Sequence, residues 1–230
     1  MTINLGKVPL ERALSKLGFA TRKKTQQFID EGRIKVNGKV VRDGMLKVTP
    51  ETDTIMLDGK AVKKAQDITI MLNKPRGFVT TKSDEKGRKT IYSLLPSSLQ
   101  HLHPVGRLDM ATTGLLILTT DTQLSNFLTD PVNEVPRTYV VTVEGRIEDK
   151  DLVQMRNGIE DEGETLKVVH VEARKVSNKE SHLTMTLTEG KNREIRRMMD
   201  ALGHEVTALK RISFGKIELG DLKIGEYKNV

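Results

Sequence analysis

Apolar spacing changes character along this chain. Leu10, Ala13, Leu14 and Leu17 recur at helical intervals, and Gly18 is placed to end that helix. Thr21 can cap a second helix, with Phe28 and Ile29 on its apolar face and Gly32 as its stop. Beyond Gly32 the period drops to two. Ile34 and Val36 alternate, Asn37-Gly38 suits a tight hairpin turn, and Lys39 to Val41 returns. A second short pair flanks Asp58-Gly59. The pattern predicts two short helices and a small curled sheet.

Lys63 to Asp67 is polar and aperiodic, and is taken as a linker between residues 1–62 and residues 68–230. Ile68, Ile70 and Leu72 then alternate as a strand, broken by Asn73-Lys74-Pro75-Arg76-Gly77. Ser83 to Lys89 is charged and reads as a loop. Leu115 to Leu118 is a short, unbroken apolar run, as expected of a buried strand. Asp121 is a candidate N-cap for a helix through Leu124, Phe127 and Leu128. Thr138 to Val143 alternates, with Tyr139, Val141 and Val143 on one face. Glu148 to Met155 is predicted helical, and Ser181 to Thr188 alternates again. From Asn192 a helix presents Ile195, Met198, Met199 and Leu202 inward, and Gly203 ends it. Val206 to Ser213 reads as a final core strand. Long alternating strands with interspersed helices and no βαβ rhythm predict an α+β fold on a mostly antiparallel sheet.

Charge adds a division of labour. Of 38 Lys+Arg and 31 Asp+Glu, 14 and 8 fall in residues 1–70, leaving 24 and 23 for the remainder. Most of the net +7 therefore sits in the first third, which suggests a small polyanion-binding module ahead of a nearly neutral domain. Arg22, Lys23 and Lys24 crowd the start of the second helix. Cations there oppose the helix dipole, so phosphate contact explains them better than stability does. The chain has no cysteine, which excludes disulfides and thiolate metal sites and suits a reducing cytoplasm. No apolar run is long enough to span a bilayer as a helix, and Met1 to Leu10 lacks a signal-peptide core.

Candidate chemistry is sparse. His101 and His103 have no third ligand nearby, so a metal site is unsupported. Phosphate-cradling glycine motifs and a nucleophile elbow are both missing, so no cofactor is expected. Asp149 and Asp151, or Glu160 to Glu164, could form a glycosidase pair, but they lie in polar stretches that read as solvated surface. Asp109, between Gly106 and Gly114 and just ahead of the buried strand, is either a rigidly mounted acid, base or nucleophile, or a turn aspartate satisfied by backbone amides. Lys191, Arg193, Arg196 and Arg197 gather at one helix start. They form either an exposed basic face or a phosphate- and carboxylate-pairing set, in which one arginine aimed at Asp109 would keep it ionised.

Two groups of motifs carry a family resemblance. Thr21-Arg22-Lys23 and Gly32 to Lys39 resemble the alpha-L RNA-binding domain of a small-subunit ribosomal protein, over about Leu10 to Val62. Leu72 to Gly77, Gly106-Arg107-Leu108-Asp109 with Thr112 to Leu116, Arg137-Thr138-Tyr139, and Glu189 to Met198 follow in that order. Together they resemble the bacterial ribosomal RNA pseudouridine synthases that carry an N-terminal alpha-L domain. The resemblance implies an isomerase that converts a uridine of ribosomal RNA, with a lean to the large subunit, into pseudouridine without cofactor or metal. It implies Asp109 as nucleophile, Tyr139 as the ring that stacks on the base, Arg196 as the basic partner of Asp109, and Leu209 as an apolar packing residue. Arg107, Lys74, Arg137, Lys191 and Arg193, with Arg22, Lys23 and Lys24, become expected RNA contacts. The implied partner is ribosomal RNA or a pre-ribosomal particle, met by a cytoplasmic monomer that touches no membrane. A non-catalytic ribosome-assembly binder and an RNA glycosidase that stops after bond cleavage are the alternatives.

Overall fold

A computed structural model describes residues 6–16, 22–62 and 67–230. The expectations for Leu17, Gly18, Thr21 and most of the linker, residues 63–66, lie outside these, as does the side chain of Arg22. The chain divides into two compact units, Met1–Asp67 and Ile68–Val230.

In the first unit, helices α1 (Leu10–Lys16) and α2 (Arg22–Asp30) pack with strands β1 (Val8–Pro9), β2 (Ile34–Val36), β3 (Lys39–Val40), β4 (Lys47–Val48), β5 (Ile55–Leu57) and β6 (Lys60–Ala61). The strands form a four-stranded sheet in the order β3-β2-β5-β6 and a separate β1-β4 pair. The core joins Leu10, Ala13 and Leu14 to Phe28, Ile29, Ile34 and Val36, the residues singled out by periodicity. Helix α2 begins at Arg22, so Arg22, Lys23 and Lys24 occupy its first turn, which contains no acidic residue.

The second unit holds strands β7 (Thr69–Lys74), β8 (His103–Pro104), β9 (Thr113–Thr119), β10 (Arg137–Glu144), β11 (Ile159–Asp161), β12 (Glu164–Leu166), β13 (His170–Val176), β14 (Glu180–Leu187), β15 (Val206–Phe214), β16 (Ile217–Glu218) and β17 (Tyr227–Asn229). Its helices are α3 (Thr122–Thr129), α4 (Asp149–Asn157) and α5 (Glu194–Ala201). The main sheet runs β13-β14-β10-β15-β9-β7-β17, with β8 on β9 and β16 on β15, while β11 and β12 form a separate hairpin. Every strand pair is antiparallel except β9 with β15. The α+β expectation with a mostly antiparallel sheet holds.

Both faces of β9 are covered, which explains its unbroken apolar run. Leu116 and Leu118 pack with Ile70, Leu72 and Leu108 on one face. Leu115 and Ile117 pack with Met71, Val105 and Phe214 on the other. Val141 and Val143 enter a third core, formed with α5, and Tyr139 packs against both this core and that of Leu116. Asp121 caps α3 as expected, accepting from the Gln123 and Leu124 amides at 2.8 and 3.1 Å. Phe127, expected on the apolar face of α3, is instead 56 % exposed, while Leu128 takes the inward position. Strand β7 runs through Asn73 and Lys74 rather than breaking there. Asn73 exchanges backbone hydrogen bonds with Glu226 and Gly225, and its side-chain amide donates to the Leu222 carbonyl.

The parallel seam is short: Lys210 lies opposite Thr113 and Arg211 opposite Gly114. Gly114 has φ +97°, and a Cβ there would overlap the Arg211 carbonyl and sit 2.8 Å from its amide nitrogen. Only glycine permits this approach. Gly114→Ala is expected to cost at least about 3 kcal/mol, combining backbone strain with a main-chain clash. Urea unfolding of the variant against wild type checks this.

Candidate active site

Asp109 lies in the turn between β8 and β9, at the edge of a cleft of about 570 Å³. Its loop is anchored from below. Lys74 is wholly buried, and its ammonium donates to the carbonyls of Asp109 at 2.9 Å, Thr112 at 2.8 Å and Pro75 at 3.3 Å. The Thr80 hydroxyl donates to the Leu108 carbonyl at 2.8 Å and accepts from the Leu108 amide at 3.3 Å. The Gly77 amide donates to the Met110 carbonyl at 2.8 Å. A loop tied at four successive points presents its carboxylate in one place.

The opposite wall comes from the other half of the sheet. Tyr139 on β10 is half-buried, between Met185 of β14 and Arg211 of β15 in register. Leu209 and Ile195 supply buried apolar lining. Arg193 lies at the start of α5 in the left-handed region, φ +48°, and its guanidinium is 3.8 Å from the Asp109 carboxylate. Arg196, the expected partner, donates instead to the Val206 carbonyl at 2.9 Å. Burial chiefly depresses its pKa, neighbouring Arg193 and Arg76 add to this, and Asp109 offsets part of it. Arg196 thus feels Asp109 at longer range, while Arg193 makes the ion pair. The reason is position: Arg193 precedes the helix at the cleft, whereas Arg196 is inside it against β15.

Residues 68–201 match the family described as RNA pseudouridylate synthase, and residues 8–55 match the S4 domain. An RNA pseudouridine synthase of Aquifex aeolicus, itself uncharacterised, is 40 % identical over 97 % of this chain and 90 % of its own length. Ribosomal large subunit pseudouridine synthase B of Bacillus subtilis is 37 % identical over 96 % of this chain and 91 % of its own. A crystal structure of a pseudouridylate synthase superposes with a TM-score of 0.68 at 30 % identity, covering 97 % of this chain and 96 % of that one.

This chain belongs to the RNA pseudouridine synthase family.

Within this pseudouridine synthase the remaining cations do not all face substrate, and three expectations change. Lys74 is enclosed, and its donors are spent on the Asp109 loop, so it offers nothing to a phosphate. Arg137 is 6 % exposed, donates to the Thr188 and Leu128 carbonyls at 2.8 and 3.0 Å, and stacks 4.8 Å from the Phe214 ring centre. It braces the cleft wall, with both terminal nitrogens already committed to carbonyls. Lys191 donates to the Thr165 carbonyl at 2.7 Å and to Glu189 at 2.8 Å, and the Glu189 carboxylate raises its pKa. Arg197 is likewise committed, to Asp161 at 2.5 Å and Glu164 at 2.6 Å. The acids expected as mere solvated surface therefore clamp the β11–β12 hairpin onto α5. Arg107 is exposed at the cleft, and Lys23 and Lys24 are exposed on α2. Among the described residues, no three metal-binding side chains gather, and no helix is long and apolar enough to cross a membrane.

Three residues escaped the sequence reading. Arg211, 3 % exposed, donates to the Leu115 carbonyl at 2.8 Å and also stacks on Phe214. Arg76 lies close enough to Arg196 to affect its titration. Glu194, 5 % exposed in the cleft wall, has its carboxyl pushed up to about 8, chiefly by burial and further by the nearby Glu189. A strand alternation or a helix start flags none of these, since each depends on a partner distant in sequence or a fold-made enclosure.

Two expectations follow from burial. Lys74→Met should lower kcat about 100-fold through a displaced Asp109 loop and leave RNA affinity unchanged; a phosphate ligand would instead raise Kd. Single-turnover rates with a parallel binding titration separate the two. Glu194 binds its proton more tightly folded, with pKa about 8, than in the free state at 4.5. Its contribution to stability is complete below pH 4.5 and is lost as pH rises through about 8. Glu194→Gln should therefore flatten the pH dependence of Tm across that window and raise Tm above it, as thermal melts at both ends will show.

Proposed function

We propose that this protein isomerises a uridine of large-subunit ribosomal RNA to pseudouridine, in the cytoplasm, with Asp109 as nucleophile. The observation that carries this reading is a carboxylate on a four-point-anchored loop, facing a half-buried tyrosine and two arginines across one cleft. The full-length similarity to a large-subunit enzyme supports the choice of RNA. The reaction moves the ribose C1′ from N1 to C5 of the same base. The N1–C1′ bond breaks, a C5–C1′ bond forms, C5 loses its proton and N1 gains one. No electrons or donated groups enter.

The target uridine must leave the stack to reach Asp109, at a cost of a few kcal/mol that is least in a loop or junction. Tyr139 holds the extruded base by its face, over the apolar lining of Leu209 and Ile195. The Asp109 carboxylate attacks, and Arg196 compensates its charge. Arg107 occupies the space that the flipped base leaves or meets the adjoining phosphate. Lys23 and Lys24, on the first turn of α2 in the basic N-terminal module, grip the RNA backbone.

Asp109→Asn is isosteric but has no anionic nucleophile. It should abolish isomerisation while RNA still binds, and substantial turnover by a homogeneous preparation would remove the assignment. Tyr139→Phe keeps the stacking face and should bind nearly normally with a slowed reaction. Tyr139→Ala should also lose about 1–3 kcal/mol of base stacking. Mapping pseudouridines in ribosomal RNA from cells with and without the protein tests the substrate: an unchanged large-subunit map overturns it.

A further inference from the structure

The cations around the cleft divide by how firmly they are held. Lys74, Arg137, Lys191, Arg196 and Arg197 each donate to carbonyls or carboxylates at 3.0 Å or closer. Arg193 differs in every respect. Its side chain is 51 % exposed, and its ion pair with Asp109, itself 42 % exposed, is the long one at 3.8 Å. Its left-handed backbone keeps it outside α5, at the cleft itself. A half-solvated pair at that distance is weak and easily screened, whereas a phosphate accepts two parallel bonds from a guanidinium.

We propose that Arg193 is a substrate-sensing residue. Its ion pair with Asp109 is exchanged for one with an RNA backbone phosphate beside the target uridine, so the carboxylate is released to react when RNA occupies the cleft. This rests on reading Asp109 as the nucleophile. The exchange does not strip Asp109 of positive surroundings. Arg196 stays behind, pinned through one nitrogen to the Val206 carbonyl, and its Nε is buried without an acceptor. Arg193 is thus a positioning residue that couples occupancy of the cleft to the availability of its carboxylate, and Arg196 is the fixed charge that persists through the exchange.

A double-variant cycle on RNA affinity tests this. Arg193→Asn removes the charge and suits both the left-handed backbone and the helix cap; Arg193→Lys retains the charge as a second variant. The probe is a short fluorescent oligouridylate, titrated over a range of salt against the full-length protein. If binding must break the pair, Asp109→Asn tightens RNA binding up to about five-fold when Arg193 is present. That gain shrinks towards none when Arg193→Asn is added. Arg193→Asn alone lowers the salt slope by about 0.7, the share of one single-strand phosphate, and Arg193→Lys keeps it. Equal gains in both backgrounds would mean that the carboxylate merely repels phosphate, and an unchanged slope in Arg193→Asn would mean that no phosphate reaches that guanidinium. Either result overturns the exchange. Because the readout is equilibrium binding, turnover by Asp109→Asn would sink the nucleophile assignment separately.

Discussion

The close approach of two backbones at Gly114 is the constraint on which the site depends. The seam between β9 and β15 is the parallel pairing in the main sheet, and it spans two residue pairs. On one side lie β7 and β9, which carry the Lys74 anchor and the Asp109 loop. On the other lie β10 and β15, with Tyr139, Leu209 and the packing surface of α5. A side chain at position 114 would push the two halves apart at the level of the cleft. The Asp109 loop and the tyrosine across the cleft, 30 residues later in the chain, meet because a glycine stands there.

Around that seam, positive charge is used for construction more than for display. Lys74 is spent on carbonyls of the Asp109 loop, Arg211 on the carbonyl of Leu115, Arg137 on two carbonyls of the wall, and Arg197 on the acids of the β11–β12 hairpin. Arg137 and Arg211 also share the ring of Phe214. Buried cations are costly unless their donors are satisfied; most of these donors are, while Arg211 keeps one buried terminal nitrogen without an acceptor, and together they brace the cleft. Arg107 and Arg193 are the arginines left exposed along the cleft, while the bulk of the positive surplus sits in the N-terminal module. This arrangement separates long-range attraction from local chemistry.

Much of the molecule was legible in its sequence, because periodicity reports local burial. The alternations at Ile34, Val36, Val141, Val143 and Leu183, the apolar run Leu115 to Leu118, and the cap Asp121 all became the predicted elements. The α+β class, the basic N-terminal module and the family followed from patterning, charge distribution and ordered motifs. Residue type made Asp109 and the arginines of the Glu189 to Met198 stretch candidates, and the family resemblance singled out Asp109, Tyr139 and Arg196. What the sequence determined, then, was the inventory: which elements form and which side chains are chemically able to act.

The allocation of partners was decided by tertiary structure. Nothing local distinguishes Lys74, buried under the Asp109 loop, from Arg107, exposed at the cleft. Nothing in the Arg193-Glu194-Ile195-Arg196 spacing says that the first arginine, not the second, stands within 4 Å of Asp109. The elevated Glu194 carboxyl and the braces of Arg137 and Arg211 likewise depend on neighbours far away in the chain. The physical reason is that a charge takes its energy from whatever surrounds it in space. Solvation and hydrogen-bond partners are fixed only when β9 and β15 close on each other, and no periodicity along the chain encodes that enclosure.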